Sequence, residues 1–87
     1  MNLIIDAGNT NIVLAIYDKN TVLKEWRIPT LSNRTTDGYL LWLKEVIANN
    51  FSINNIIIGS VVPEIETKIK EACDKCFKKK LYVVNDN

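Results

Sequence analysis

The segment Asp6-Ala7-Gly8-Asn9-Thr10-Asn11 places small and polar residues between two apolar runs, LII and IVLAIY. Glycine lets a ligand approach the backbone closely and allows positive φ, while Asn and Thr supply amide and hydroxyl groups. Successive backbone N–H groups in a tight turn form an anion-binding concavity. An acid beside such an anion needs a cation between them, so Asp6, Mg²⁺ and a phosphate make a coherent set.

An ordinary hairpin with an Asn-rich turn explains the same residues equally well from local composition. In that alternative, Asp6 is a solvated or capping side chain. The segment is neither a G-x-x-x-x-G-K-[ST] loop nor a G-x-G-x-x-G loop, so a phosphate site here would be of another type.

Bulk composition excludes several classes of function. The chain has 87 residues, no histidine and a net charge of +1, which indicates one small domain. Without histidine, Ser-His-Asp and Cys-His catalysis and histidine metal sites are excluded within this chain. The charge does not favour nucleic acid or membranes. No apolar run reaches the ~20 residues of a membrane span, no signal peptide is visible, and we expect a cytoplasmic location.

The apolar patterning predicts the element order β-β-β-α-β-α-β. Two helices are indicated by 3.6-residue periodicity, one from Thr36 to Asn49 with Thr35 or Thr36 as N-cap, and one beginning at Pro63. Apolar or mixed runs predict strands at 2–7, 11–18, 22–28, 55–62 and 81–84. Short early connections favour antiparallel pairing, and later β-α-β units favour parallel pairing. The predicted fold class is α/β, a mixed five-stranded sheet with helices packed against it.

Four segments together resemble one known family. IDAGNTNIVLAIYD, WRIPT, NRTTDGY and GSVVP occur in order, at the spacing of the N-terminal part of bacterial type III pantothenate kinase, and the resemblance covers about residues 3–84. That family belongs to the actin and sugar-kinase superfamily, which has a ribonuclease H-like core. The resemblance implies that residues 1–87 form a single N-terminal ribonuclease H-like lobe of an actin-like ATPase fold, with the second lobe outside this chain.

The resemblance also implies an activity: transfer of the ATP γ-phosphate to pantothenate, giving 4′-phosphopantothenate in the first step of coenzyme A biosynthesis. The family uses Mg²⁺ and a monovalent cation, K⁺ or NH4⁺, and works as a homodimer. Asp6 matches the family's acid near the metal and phosphates. Gly8, Asn9, Thr10 and Asn11 match its phosphate-binding turn.

One departure from the family concerns catalysis. The family's G-A-D-R-type motif, which carries the general-base aspartate, is missing from this sequence. No catalytic residue is therefore expected within residues 1–87, and the general base would lie beyond residue 87. We expect an N-terminal fragment that binds nucleotide weakly and turns over little, since one lobe leaves the phosphates open to water.

A non-catalytic binding module is the alternative hypothesis. Such a module would meet a protein partner or nucleic acid through a sheet edge or the basic end at Lys75–Lys80. Nucleic acid is disfavoured because no stacking aromatics interleave these lysines. Cys73 and Cys76 fall on the apolar helix stripe and are interpreted as core residues, because a zinc site needs further ligands. Trp26 and Trp42 are interpreted as packing residues.

Several polar residues near the first helix lack an assigned chemical step. Arg34 and Asp37 are spaced to pair across the start of the helix. Gly38 stands where the family has Glu, which forfeits a capping box with Thr35. Arg27 and Tyr39 match family positions without an evident role.

Overall fold

The computed structural model describes residues 1–31, 33–60 and 62–84, and it confirms the predicted element order. The first helix continues directly into a π-helical turn, Lys44–Ala48. The elements are β1 (Asn2–Ala7), β2 (Asn11–Asp18), β3 (Thr21–Pro29), α1 (Thr36–Leu43), β4 (Asn55–Ser60), α2 (Pro63–Phe77) and β5 (Lys80–Val84). β4 ends earlier than the predicted residue 62, because Val62 is already the N-cap of α2.

The five strands form one mixed sheet in the order β3-β2-β1-β4-β5. β1 pairs antiparallel with β2 and parallel with β4, β2 pairs antiparallel with β3, and β4 pairs parallel with β5. Ala7 is in register with Ile12 and Ser60, and Asn11 with Pro29. The ends of β1, β3 and β4 and the start of β2 therefore meet at one end of the sheet, called the turn end below.

Both helices pack on the same face of the sheet, where the core lies. Alternate strand residues point into it, and the apolar stripes of α1 and α2 close it. Trp26 makes edge-on contacts with Trp42 and Phe51, with ring centroids 6.3 and 5.8 Å apart, so the packing interpretation of both tryptophans is confirmed. The largest fully buried side chains are Leu3, Ile5, Ile12, Ile16, Ile47, Ile56, Ile58, Ile65 and Cys73.

The other face of the sheet is less covered, and we call it the open face. The apolar run of β2 predicts burial on both sides, but its open side is buried only at Ala15, while Val13 and Tyr17 are half-buried. On β5, Tyr82 and Val84 are 45% and 56% exposed. The prediction for β2 is wrong in this respect because both helices lie on the core face.

Local capping sets the helix ends. Thr35 Oγ1 accepts a hydrogen bond from the Gly38 N–H at 3.0 Å, which confirms the predicted N-cap. Pro63 occupies the first turn of α2, as predicted. Lys78 then ends α2 in the left-handed region with φ of 52°. No helix among the described residues is long and apolar enough to cross a membrane.

Candidate phosphate-binding turn

Gly8 and Asn11 close the connection between β1 and β2. The Gly8 N–H donates to the Asn11 carbonyl at 2.9 Å. Gly8 does not use the positive φ that its residue type allows, since no described glycine has positive φ. Its small size matters instead, because a Cβ at position 8 would lie 3.2 Å from the Asn11 carbonyl oxygen.

Thr30, just beyond β3, holds this turn from outside. Its N–H donates to the Thr10 carbonyl at 2.9 Å, and its Oγ1 hydroxyl donates to the Gly8 carbonyl at 2.8 Å. Sequence reasoning missed Thr30 as part of the site. The only available signal was register: pairing Asn11 with Pro29, the last residue of β3, brings the residue after it opposite the turn.

The turn leaves two backbone donors available. Asn9 and Thr10 are exposed, and among the described residues neither N–H donates to another backbone group. Unpaired N–H groups at a turn are the donors that an anion-binding concavity requires. The structure therefore brings together the turn residues Gly8, Asn9, Thr10 and Asn11 with two free amides at its tip.

Asp6 lies two residues before the turn, on the open face. Its neighbours Ile5 and Ala7 are buried in the core while Asp6 is exposed. On the adjacent strand Gly59 is in register with Asp6, and a Cβ built there would meet nothing within 4 Å. The Asp6 carboxylate thus stands beside open space at the turn end.

Arg27 falls in the same row as Asp6. Val13 is in register with both Asp6 and Arg27, so the two charged side chains project from the same face with one strand between them. The separation of two strand spacings is about 9.5 Å. The row thus contains one acidic and one basic side chain at the turn end.

The residues at the turn suit Mg²⁺ only if the phosphates of a bound ligand and waters supply most of the metal's oxygen ligands. The described residues contain no group of three His, Cys, Asp or Glu that could hold a metal. Mg²⁺ usually retains several waters and binds through one or two carboxylates plus substrate phosphates. A single exposed Asp6 fits that mode, whereas a metal site made by protein side chains alone does not.

Arg34 and Asp37 do not pair as predicted. The Arg34 guanidinium lies over the Tyr39 ring instead, 5.4 Å from its centroid. Such a cation–π contact stabilises by roughly 0.5–1 kcal/mol. Burial raises the pKa of Tyr39, and Arg34 partly opposes this. The Tyr39 hydroxyl is buried without a hydrogen-bond partner in the described structure.

The cysteines behave as core residues. Cys73 is fully buried and Cys76 is partly buried. Burial, with a smaller effect from Cys76, raises the pKa of the Cys73 thiol to about 12. The thiol is therefore protonated and unreactive near neutral pH.

A family model describes nearly the whole chain. Residues 2–87 match the model of type III pantothenate kinase. A type III pantothenate kinase of Exiguobacterium sibiricum is 40% identical over 88 residues, covering 97% of this chain and 35% of that protein. One from Paramagnetospirillum magneticum is 43% identical over 90 residues, covering 99% of this chain and 35% of that protein. The chain thus spans about a third of the length of these relatives.

Solved structures agree on the fold. A putative N-acetylglucosamine kinase from Porphyromonas gingivalis superposes with a TM-score of 0.71 at 19% identity, over 99% of this chain and 34% of that one. A ROK hexokinase from Thermus thermophilus superposes with a TM-score of 0.61 at 16% identity, over 94% and 32% of the two chains. The chain shares the fold of about a third of each of these two sugar kinases, in agreement with the predicted mixed-sheet α/β fold. The sequence match across residues 2–87 is more specific, and the chain belongs to the type III pantothenate kinase family.

Proposed function

We propose that this chain provides the first phosphate-binding turn of a type III pantothenate kinase, which transfers the ATP γ-phosphate to pantothenate to give 4′-phosphopantothenate. The family match over residues 2–87 carries the proposal. It is supported by the exposed N–H groups of Asn9 and Thr10, which have no backbone acceptor among the described residues.

Each side chain at the turn has a limited task in this proposal. The N–H groups of the turn bind phosphate oxygens, and Asp6 holds Mg²⁺ through its carboxylate and water. Mg²⁺ supplies charge neutralisation of the phosphates when it is bound. The missing side chain at Gly59 leaves room for the phosphates beside Asp6.

The remaining parts of the reaction are assigned outside these residues. Residues 1–87 form an N-terminal lobe, and the general base, the pantothenate site, the monovalent cation (K⁺ or NH4⁺) and the homodimer belong to the whole enzyme. No residue of this chain is assigned to the monovalent cation. Because positioning and enclosure supply most of phosphoryl-transfer catalysis, residues 1–87 alone should release ADP with pantothenate at a negligible rate.

The test is an amide NMR titration of the isotopically labelled chain with Mg²⁺-ATP and, separately, with a short DNA duplex. The proposal expects Mg²⁺-ATP to shift the amides of residues 8–11, with no response to DNA. A turn that stays silent at millimolar Mg²⁺-ATP would contradict it. A DNA response at Lys75–Lys80 together with a silent turn would favour the binding-module alternative, for which the structure offers exposed lysines at 75 and 78–80.

A further inference from the structure

We propose that Thr30 is a positioning residue for nucleotide binding, fixing the peptide planes of the turn so that its N–H groups face the phosphate. The inference rests on the proposed function, since it assumes that the turn binds the phosphates of Mg²⁺-ATP. It assigns a role to a residue just beyond β3 that donates its hydrogen bonds to the Gly8 and Thr10 carbonyls.

The geometry follows from two hydrogen bonds and the planarity of the peptide group. In a trans peptide the C=O and the N–H of one unit point in opposite directions, and the structure contains no cis peptide among the described residues. The Thr30 hydroxyl holds the Gly8 carbonyl at 2.8 Å. The N–H of the same peptide unit belongs to Asn9, so it is directed away from Thr30.

The second hydrogen bond acts on the far side of the turn. The Thr30 N–H holds the Thr10 carbonyl at 2.9 Å, which fixes the peptide unit between Thr10 and Asn11. Thr30 therefore fixes the two units on either side of the Asn9–Thr10 peptide, leaving that unit at the tip between two anchored ones. The turn needs no left-handed residue to hold this shape, since none of residues 8–11 has positive φ.

Preorganised donors bind an anion more tightly than mobile donors, because they lose less conformational entropy when the anion binds. Thr30 is half-buried, so its hydroxyl is shielded from competition by water. Losing one such hydrogen bond should weaken Mg²⁺-ATP binding roughly fivefold, the factor that corresponds to the net worth of a typical hydrogen bond.

The experiment compares three variants by the Mg²⁺-ATP titration. Thr30→Val keeps the branched shape and removes the hydroxyl donor, and it should weaken binding and move the Asn9 amide resonance before ligand is added. Thr30→Ser keeps the hydroxyl and should restore the wild-type affinity. Thr21→Val, at the exposed opposite end of β3, is the matched control and should bind like wild type.

The outcomes separate this inference from the proposed function. If the wild-type turn responds to Mg²⁺-ATP and Thr30→Val binds equally well, Thr30 has no positioning role and the proposed function stands. If the wild-type turn never responds, both fail. If Thr30→Val does not fold, amide hydrogen exchange of the wild-type chain replaces the variant. Mg²⁺-ATP should slow exchange of the Thr30 N–H. An exchange rate that is unchanged when the nucleotide is bound would overturn the inference.

Discussion

The two hairpin turns of this sheet lie at opposite ends of β2 and are built differently. The turn at Lys19 and Asn20 closes with its own backbone, using a left-handed Lys19 at φ of 58°. The turn at Asn9 and Thr10 has no left-handed residue and is held instead by Thr30. Among the described residues, no side chain forms a hydrogen bond with Lys19 or Asn20. A turn that only connects two strands can be held by its own backbone. The turn at Asn9 and Thr10 is instead held by hydrogen bonds from Thr30, which directly follows the neighbouring strand β3.

Acidic residues flank both turns, which gives the largest expected contrast. Asp6 precedes one turn and Asp18 the other, and both are exposed. Asp6→Asn should weaken Mg²⁺-ATP binding about tenfold or more, since contacts to charged groups are worth ~1.5–3 kcal/mol. Asp18→Asn should leave the affinity unchanged. Equal affinities for the two variants in the NMR titration would mean that Asp6 has no role in binding.

Glycine should be favoured in both turns, but for different physical reasons. Gly8→Ala puts a Cβ 3.2 Å from the Asn11 carbonyl oxygen, and such crowding should cost about 1–2 kcal/mol in the free energy of unfolding. Lys19→Gly relieves a left-handed backbone and should stabilise by about 0.5–1 kcal/mol. Urea unfolding of both variants measures this. A Gly8→Ala protein as stable as wild type would show that the close approach is not a constraint.

Gly59 lies beside Asp6 on the neighbouring strand β4. Alanine there meets no atom within 4 Å, and glycine weakens a strand interior, so Gly59→Ala should stabilise the fold by roughly 0.5–1 kcal/mol. The added methyl group stands beside Asp6 and should weaken Mg²⁺-ATP binding by a few-fold. Tighter or unchanged binding by a stabilised variant would mean that the ligand does not occupy this space.

The rate at which the Cys73 thiol is chemically labelled shows whether a substitution changes only the binding site or also destabilises the fold. Because the Cys73 side chain is fully buried, labelling at pH 8 requires unfolding, and burial also raises the pKa of the thiol from 9.0 to about 12. Asp6→Asn should therefore label like wild type, and Gly8→Ala should label faster.

The Cys73 thiol should also make the stability of the fold depend on pH. Because its pKa is higher in the folded than in the unfolded chain, its contribution to the free energy of unfolding is complete below pH 9 and is lost as pH rises from 9 towards 12. Urea unfolding at pH 8 and pH 10 should show this loss, and Cys73→Ala should show less of it.

Strand and helix identities were predictable because they depend on local periodicity. The apolar stripe on α2 predicted which of its side chains face the core, and Pro63 and Thr35 marked the helix starts. The uncovered side of β2 was not predictable, because burial on that face depends on where both helices pack.

The candidate site was predictable only in part. Residues 6–11 are contiguous, so their types alone suggested phosphate chemistry. Thr30 and Gly59 are distant in sequence, and their place beside the turn and Asp6 follows from strand register, which composition does not specify. The prediction that Arg34 pairs with Asp37 was wrong because the Arg34 guanidinium lies over the Tyr39 ring instead.

The most direct test of the central claim replaces Mg²⁺ by Mn²⁺, which prefers the same oxygen ligands. Paramagnetic broadening of the amides by Mn²⁺-ATP maps distance from the metal. If Asp6 and the turn bind Mg²⁺-ATP, broadening should be strong at Asp6 and residues 8–11 and absent at Lys19 and Asn20, which lie about 25 Å away along β2. Equal broadening at both turns, or broadening confined to other acidic residues, would contradict the claim.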